Sequence, residues 1–139
     1  MRYIFSFISA HTSFECSVFN MKQPNVTLQK SFDFAVRIIH LYQYLKDQKK
    51  EFVISKQLLR AGTSVGANIR EAYNAESDRD FIHKFGIAQK ECDETAYWLE
   101  LSKTTHFLTQ QDFESIHTDC QELLKIIKSI ILTKKKNMK

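Results

Sequence analysis

Apolar residues recur every three or four positions through four long stretches of this chain, which is the spacing of an amphipathic helix. These stretches predict helices over about residues 28–47, 55–75 and 78–104, and a fourth helix that begins after Thr109. Ser77 and Thr109 are the predicted caps of the last two helices. The connections are short, and no alternating run predicts a strand. The pattern therefore predicts an all-α fold, an antiparallel up-down-up-down four-helix bundle.

The second predicted helix has glycine on its buried side. Its core positions, which share one helical face, are Leu58, Gly62, Val65, Ile69, Ala72 and Tyr73. A glycine inside a helix costs about 1 kcal/mol relative to alanine, so a helix that keeps Gly62 and Gly66 needs a neighbouring backbone close by. We interpret Gly62 and Gly66 as a helix-packing notch.

A polar stripe runs beside this buried face and includes Ser64, Asn68 and Glu71. In a structural use, Asn68 and Glu71 hydrogen-bond to a neighbouring helix or subunit and set its register. In a functional use, the stripe contacts a ligand or nucleic acid together with Arg60 and Arg70. The structural use is favoured, because a glutamate in a nucleic-acid face repels phosphate.

The first and third predicted helices carry more apolar surface than one core face needs. The two adjacent apolar stripes of the first helix are Phe32, Ala35, Val36, Ile39 and Tyr42, and Phe34, Ile38, Leu41 and Leu45. On the third helix, Ile87 and Trp98 lie on the side opposite the core stripe. A second subunit is expected to cover a tryptophan in that position. The sequence thus predicts a homo-oligomer with Ile87 and Trp98 at the contact.

The first twenty residues do not continue the helical pattern. Arg2 is followed by an apolar run that is shorter than a signal peptide requires, and residues 21–24 read as a natural start. We expect residues 1–20 to be a poorly ordered upstream extension before a bundle domain at residues 21–133. The alternative is an extra helix or strand that docks its four phenylalanines on the domain.

Charge is concentrated near the end of the chain. The net charge is +4, but basic and acidic residues are equal in number between residues 21 and 133, and a basic tail covers residues 134–139. Lys134, Lys135 and Lys136 in that tail are candidates for contact with phosphate, and the alternative is a solvated helix end.

The composition is that of a soluble globular protein, with 43% hydrophobic and 26% charged residues. No stretch is long enough to span a membrane. Three widely spaced cysteines without a CxxC pair indicate a reducing cytosol. We therefore expect a cytoplasmic protein.

Few residues match the spacing of a metal or catalytic site. Glu114 and His117 have the Glu-x-x-His spacing of di-iron bundles, but that chemistry needs a second pair and two further glutamates. The sequence therefore predicts no metal, no cofactor and no enzymatic activity. The alternative is a metal-independent ribonuclease that uses Arg79 and His83, since some helical ribonucleases place an arginine a few residues before a histidine. The gap here is one residue shorter than in those enzymes.

Several motifs of the second and third helices resemble one bacterial protein family. They are Leu58-Leu59-Arg60-Ala61, Thr63-Ser64-Val65-Gly66-Ala67-Asn68-Ile69 with Glu71, Asp80-Phe81-Ile82, Ile87-Ala88, Glu94-Thr95 and Tyr97-Trp98-Leu99. The family is a four-helix-bundle family first described from reading frames inside intervening sequences of large-subunit ribosomal RNA genes. It is similar to the accessory protein of diversity-generating retroelements. The resemblance covers about residues 31–132, but Arg70 and Ala72 stand where the family usually has alanine and glycine.

The resemblance implies an antiparallel bundle that assembles into a homopentamer, with no established catalytic activity. The retroelement relatives are basic and bind nucleic acid, whereas the body of this chain is neutral. Together with the predicted subunit contact, this leads to the hypothesis of a non-enzymatic oligomeric scaffold that binds RNA or a protein partner. Its candidate phosphate contacts are Arg60, Arg70, Lys134, Lys135 and Lys136.

Overall fold

The structure is a computed structural model, and it describes residues 25–138. Four helices make up this part of the chain: α1 (Val26–Asp47), α2 (Ile54–Ala72), α3 (Asp78–Thr104) and α4 (Gln110–Asn137). No strand occurs among the described residues. The predicted all-α, four-helix fold is therefore confirmed. The predictions made for residues 1–20 fall outside the described residues.

Neighbouring helices run in opposite directions. Between α2 and α3, Arg60 contacts Glu91 while Glu71 contacts Lys84, so later residues of α2 meet earlier residues of α3. Contacts between α4 and α1 follow the same reversed order. The closeness of packing differs between pairs of neighbouring helices, and α1 and α4 are the least closely packed pair.

Side-chain caps fix the first residues of three helices. Ser77 and Thr109 each accept a hydrogen bond from the backbone N–H three residues later, at 3.1 Å, so both predicted caps are confirmed. Asn25 caps α1 in the same way. Because of this cap, α1 begins at Val26 rather than at the predicted Leu28.

A buried carboxylate, Glu51, fixes the start of α2. Its Oε1 accepts from the backbone N–H groups of Val53 and Ile54 at 2.9 and 2.8 Å, and its Oε2 accepts from that of Ser55 at 2.6 Å. Burial by itself raises the pKa of Glu51, but these hydrogen bonds outweigh burial and lower the pKa below its ordinary value. One ionised side chain thus holds the connection between α1 and α2.

Helix α2 ends at Ala72 rather than at the predicted Ala75, and this corrects the prediction for Tyr73. Tyr73 is 41% exposed instead of lying in the core, because it follows the last helical residue. Its ring makes edge-to-face contacts with Phe81 and Phe85, at centroid distances of 5.7 and 5.9 Å. Tyr73 therefore covers one end of the core.

The core is one cluster to which all four helices contribute. Its largest fully buried side chains are Phe85, Ile38, Leu41, Leu45, Leu58, Ile69, Leu99, Ile116, Leu123, Ile127, Val65 and Thr95. They include most of the second apolar stripe that the sequence predicts on α1, and Phe34 completes that stripe at 2% exposure. The first stripe of α1 points elsewhere, and it forms one of the surfaces described next.

Candidate interaction surfaces

The two glycines of α2 lie against α1. A β-carbon built on Gly62 would be 2.6 Å from Cγ1 of Ile38, and one built on Gly66 would be 3.2 Å from the backbone oxygen of Ser31. At Gly86 on α3, by contrast, an added β-carbon meets nothing within 4 Å. Gly62 and Gly66 therefore let α1 and α2 approach more closely than larger residues would allow.

The polar stripe of α2 makes contacts of two kinds. Asn68 Nδ2 donates to the backbone oxygen and the hydroxyl of Ser64, at 2.9 and 3.1 Å, within the same helix. Glu71 accepts from Lys84 on α3 at 2.6 Å, which links two helices. In the described part of the chain, Glu71 thus makes the kind of cross-helix contact that the structural interpretation expects, while Asn68 bonds along α2.

One apolar stripe of α1 is left uncovered by the other described helices. Phe32 is 48% exposed and Ile39 is 38% exposed, and the remaining members are half-buried. The stripe lies across α1 from Arg37, which contacts α4. We call this stripe the outer face of α1: Phe32, Ala35, Val36, Ile39 and Tyr42.

The predicted oligomer contact on α3 is only partly exposed, since Ile87 and Trp98 are both half-buried. The Trp98 indole N–H donates to Glu94 Oε1 at 3.1 Å, and its ring packs against the core cluster. Tyr97 is 56% exposed and meets the indole edge to face, at a centroid distance of 5.0 Å. Tyr97 is therefore the more exposed aromatic residue of this pair, although the spacing of apolar residues did not single it out.

Arg60 on α2 binds the carboxylate that also accepts from Trp98. It contacts Glu94 and, at 3.2 Å, Glu91, so ion pairs join α2 to α3. Hydrogen bonds from Trp98 and from Arg60 lower the pKa of Glu94. Because its guanidinium is already engaged by two carboxylates, Arg60 has less positive charge to offer a phosphate.

The lysines near the end of the chain belong to α4, which continues to Asn137 and thus past residue 133, the predicted limit of the bundle domain. Lys134 contacts Asp78, the first residue of α3, at 2.5 Å and lies over the ring of Phe81. Lys135 and Lys136 are exposed on the same helical turn. The contact with Asp78 places Lys134 beside the start of α3, so the last turns of α4 and the first turn of α3 lie at the same end of the bundle.

Arg70 lies in the last turn of α2 and is exposed at the same end of the bundle. Four of the five candidate phosphate contacts therefore lie at this end of the bundle, while Arg60 lies elsewhere. We call this surface the basic end: Arg70, Lys134, Lys135 and Lys136. Two acidic residues close to it, Glu71 and Asp78, are each paired with a lysine.

The residues of the ribonuclease alternative are also on the surface. Arg79 and His83 are both exposed in the first two turns of α3. A general base acts on a proton within hydrogen-bond reach, and active sites commonly exclude water around it. An open helix surface excludes no water, so the placement of Arg79 and His83 adds nothing in favour of catalysis.

The single Glu-x-x-His pair contacts protein groups. Glu114 accepts from Gln110 at 2.5 Å, and His117 contacts Glu100 on α3 at 3.2 Å. Across residues 25–138, no group of three or more histidine, cysteine, aspartate or glutamate side chains could hold a metal ion. Within the same residues, no helix is long and apolar enough to cross a membrane.

These features define a class of protein: a small four-helix bundle whose candidate surfaces lie on the outside of its helices. The sequence pattern of the 23S rRNA-intervening sequence protein family matches residues 24–129, so the chain belongs to that family, as the motifs of α2 and α3 indicated.

One solved structure supports this assignment. A protein with unknown function from the S23 ribosomal protein family of Bacteroides thetaiotaomicron VPI-5482 is 55% identical in sequence to this chain. The similarity covers 76% of this chain and 98% of that protein, with a TM-score of 0.76. No curated protein matches the chain. Neither the family nor the solved structure indicates an enzymatic activity.

Proposed function

We propose that this protein is a non-enzymatic scaffold, in which bundles associate through the outer face of α1 and the basic end of each bundle contacts RNA. The observation that carries the proposal is the exposure of Phe32 and Ile39 within one continuous apolar stripe. Contiguous apolar surface of this kind usually marks a site of interaction in a soluble protein.

A second copy of the chain is the partner that we assign to this face. Helix α3 carries apolar side chains on its own outer surface, where Tyr97 is exposed and Ile87 is half-buried. The face on α1 and the surface on α3 are different, so contact between them is head-to-tail, and such contacts build a ring when the rotation closes. A homopentamer is the assembly that the family resemblance implies, and it is the size that we propose.

Charge supports RNA as the further partner. Lys135, Lys136 and Arg70 are exposed at the same end of the bundle, while Glu71 and Asp78 are paired with lysines. In a cyclic ring every subunit presents the same end to the same side, so the basic ends would combine into one multivalent surface. The family is linked to intervening sequences of 23S rRNA, which supports RNA as the class of nucleic acid and a cytoplasmic location.

Light scattering of the purified chain tests the assembly. We expect the mass of an oligomer, and we expect Ile39→Glu to reduce it to the mass of one chain, because an unpaired carboxylate is costly inside an apolar contact. The matched control is Lys125→Glu, which changes the charge of an exposed residue of α4. A monomeric wild-type chain, or an Ile39→Glu oligomer of unchanged mass, would contradict the proposed interface.

Fluorescence anisotropy with a structured RNA tests the basic end. The double variant Lys135→Glu/Lys136→Glu should weaken binding, and the slope of log K against log salt should fall by roughly 0.9 for each phosphate that the variant no longer neutralises. Lys125→Glu, on the same helix, should bind like the wild type. The RNA recovered from the assay also tests the alternative function: cleavage that disappears in His83→Ala would replace the scaffold proposal with a ribonuclease.

A further inference from the structure

Two cysteine side chains meet inside the bundle, one from α3 and one from α4. Cys92 and Cys120 are both fully buried, and their sulfur atoms are 3.7 Å apart. Each thiol also lies within reach of the other residue's backbone oxygen, at 3.4 Å for Cys92 Sγ and 3.3 Å for Cys120 Sγ. This reciprocal arrangement places the two backbones close together at the two cysteines.

The distance between the sulfur atoms is short enough for a covalent bond to follow from a small movement. A disulfide has sulfur atoms about 2.0 Å apart and needs β-carbons of neighbouring elements close to one another. Cys92 and Cys120 already touch across one helix interface. The two helices are therefore already adjacent where the bond would form.

The folded bundle protects both thiols from oxidation. The contact with the Cys92 thiol and burial together raise the pKa of Cys120 far above its ordinary value, so the reactive thiolate is scarce. A thiol that is fully buried is also out of reach of a dissolved oxidant. Oxidation must therefore pass through a partly opened form of the bundle.

The packing of α4 indicates where that opening occurs. Helix α4 packs closely against α3 and much less closely against α1, where Arg37 reaches across to Asp119 and to the backbone oxygen of Ser115. Separation along the α1–α4 contact would expose the core side of α4, with Cys120 on it. The α3–α4 hairpin would stay together, so Cys92 would keep its place beside Cys120.

We propose that Cys92 and Cys120 form an oxidation site, at which a peroxide that enters between α1 and α4 converts the two thiols into an intrachain disulfide joining α3 to α4. Hydrogen peroxide first oxidises one thiol to a sulfenic acid, and one water molecule leaves. The second thiol then attacks that sulfur, the S–S bond forms, and a second water molecule leaves. Two thiols and one peroxide thus give one disulfide and two waters.

The test uses the full chain with Cys16→Ser, so that Cys92 and Cys120 are its only thiols. After peroxide treatment, the chain is denatured, alkylated without reductant, and measured by intact mass. We expect a product that has lost two hydrogen atoms and takes up no alkylating reagent, and a protease digest that links the peptides of Cys92 and Cys120. Two reduced thiols, separately oxidised sulfurs or disulfides between chains would each overturn the proposal.

A second variant tests whether the peroxide enters between α1 and α4. Arg37→Gln should speed disulfide formation about two- to fivefold, the factor expected when an ion pair across the opening contact is removed. The matched control is Arg60→Gln, which removes ion pairs between α2 and α3 and should leave the rate unchanged. Circular dichroism confirms that both variants are folded. Equal rates for the wild type and Arg37→Gln, or faster oxidation of Arg60→Gln, would show that the oxidant does not enter between α1 and α4.

Discussion

Helix α1 packs against its two neighbours in different ways. Against α2 the contact depends on the absence of a side chain, since a β-carbon on Gly62 would overlap Ile38. Against α4 the contact includes long charged side chains, because Lys30 reaches Glu122 at 3.0 Å and Arg37 reaches Asp119. The same helix therefore has one close-packed side and one side that long polar groups bridge.

The difference separates what fixes the bundle from what allows it to open. Close packing tolerates little change, since protein interiors are nearly as dense as organic crystals. The Lys30–Glu122 ion pair is exposed, and such a pair can break and form again at little cost, because water and salt replace it. We infer that the α1–α2 contact sets the geometry of the bundle. The α1–α4 contact is where the bundle opens most easily.

The largest effect is expected for Gly62→Val. The added carbon atoms must displace Ile38 or separate α1 from α2, so we expect a loss of about 3 kcal/mol in the free energy of unfolding, measured with urea. The loss should be smaller in a background of Ile38→Ala, because the smaller side chain leaves room for valine. Strictly additive losses in the double variant would show that the two residues do not compete for the same space.

A matched change on α3 serves as the control. Gly86→Ala places a β-carbon where nothing lies within 4 Å, so only helix propensity changes. Alanine should then stabilise the chain by up to about 1 kcal/mol. If Gly86→Ala were as damaging as Gly62→Val, the cost would come from the loss of glycine itself rather than from close packing at the α1–α2 contact.

The connection between α1 and α2 provides the next prediction. Glu51→Gln keeps an oxygen acceptor but removes the negative charge that three backbone N–H groups favour, so we expect a loss of about 1 kcal/mol near neutral pH. The pKa of Glu51 is lowered on folding, so its contribution is present above the ordinary pKa of 4.5 and is lost as the pH falls through the lower, folded value.

Urea unfolding at a series of pH values measures this effect. The difference between the wild type and Glu51→Gln should shrink as the solution is acidified below the ordinary pKa. Glu76→Gln, at an exposed glutamate before α3, should show a much smaller difference throughout. A difference for Glu51→Gln that stays constant down to low pH would mean that the charge of Glu51 does not hold the start of α2.

Features that depend on local chemistry could be predicted from the sequence. Ser77 and Thr109 cap helices because their hydroxyl groups bond backbone groups only three residues away. The cost of glycine in a helix similarly pointed to a close neighbour of α2, and Gly62 does lie against Ile38. For the caps, the residue type and its near neighbours contain all the information that is needed, whereas the glycine indicates a close neighbour without identifying it as Ile38.

Features that depend on distant partners could not be predicted in the same way. Arg60 was a candidate phosphate contact, but Glu91 and Glu94 lie more than thirty positions later in the chain and engage its guanidinium.

Two local features were also missed. Glu51 bonds backbone groups only two to four residues away, but serine, threonine, aspartate and asparagine are the residues expected to cap the start of a helix. Tyr73 kept the spacing of the core, but α2 ends one residue earlier.

The smallest effect is expected for Lys30→Met, a variant that tests the side of α1 that faces α4. Lys30 and Glu122 are 46% and 58% exposed, so the loss of their ion pair should cost less than about 0.5 kcal/mol. Any difference should vanish in about 1 M salt, where the Debye length is near 3 Å. Lys125→Met, at another exposed lysine, gives the cost of changing a surface residue of α4. If Lys30→Met destabilised the chain as much as Gly62→Val, the charged side of α1 would stabilise the bundle as much as the glycine contact does. The α1–α4 contact would then not be the place where the bundle opens most easily.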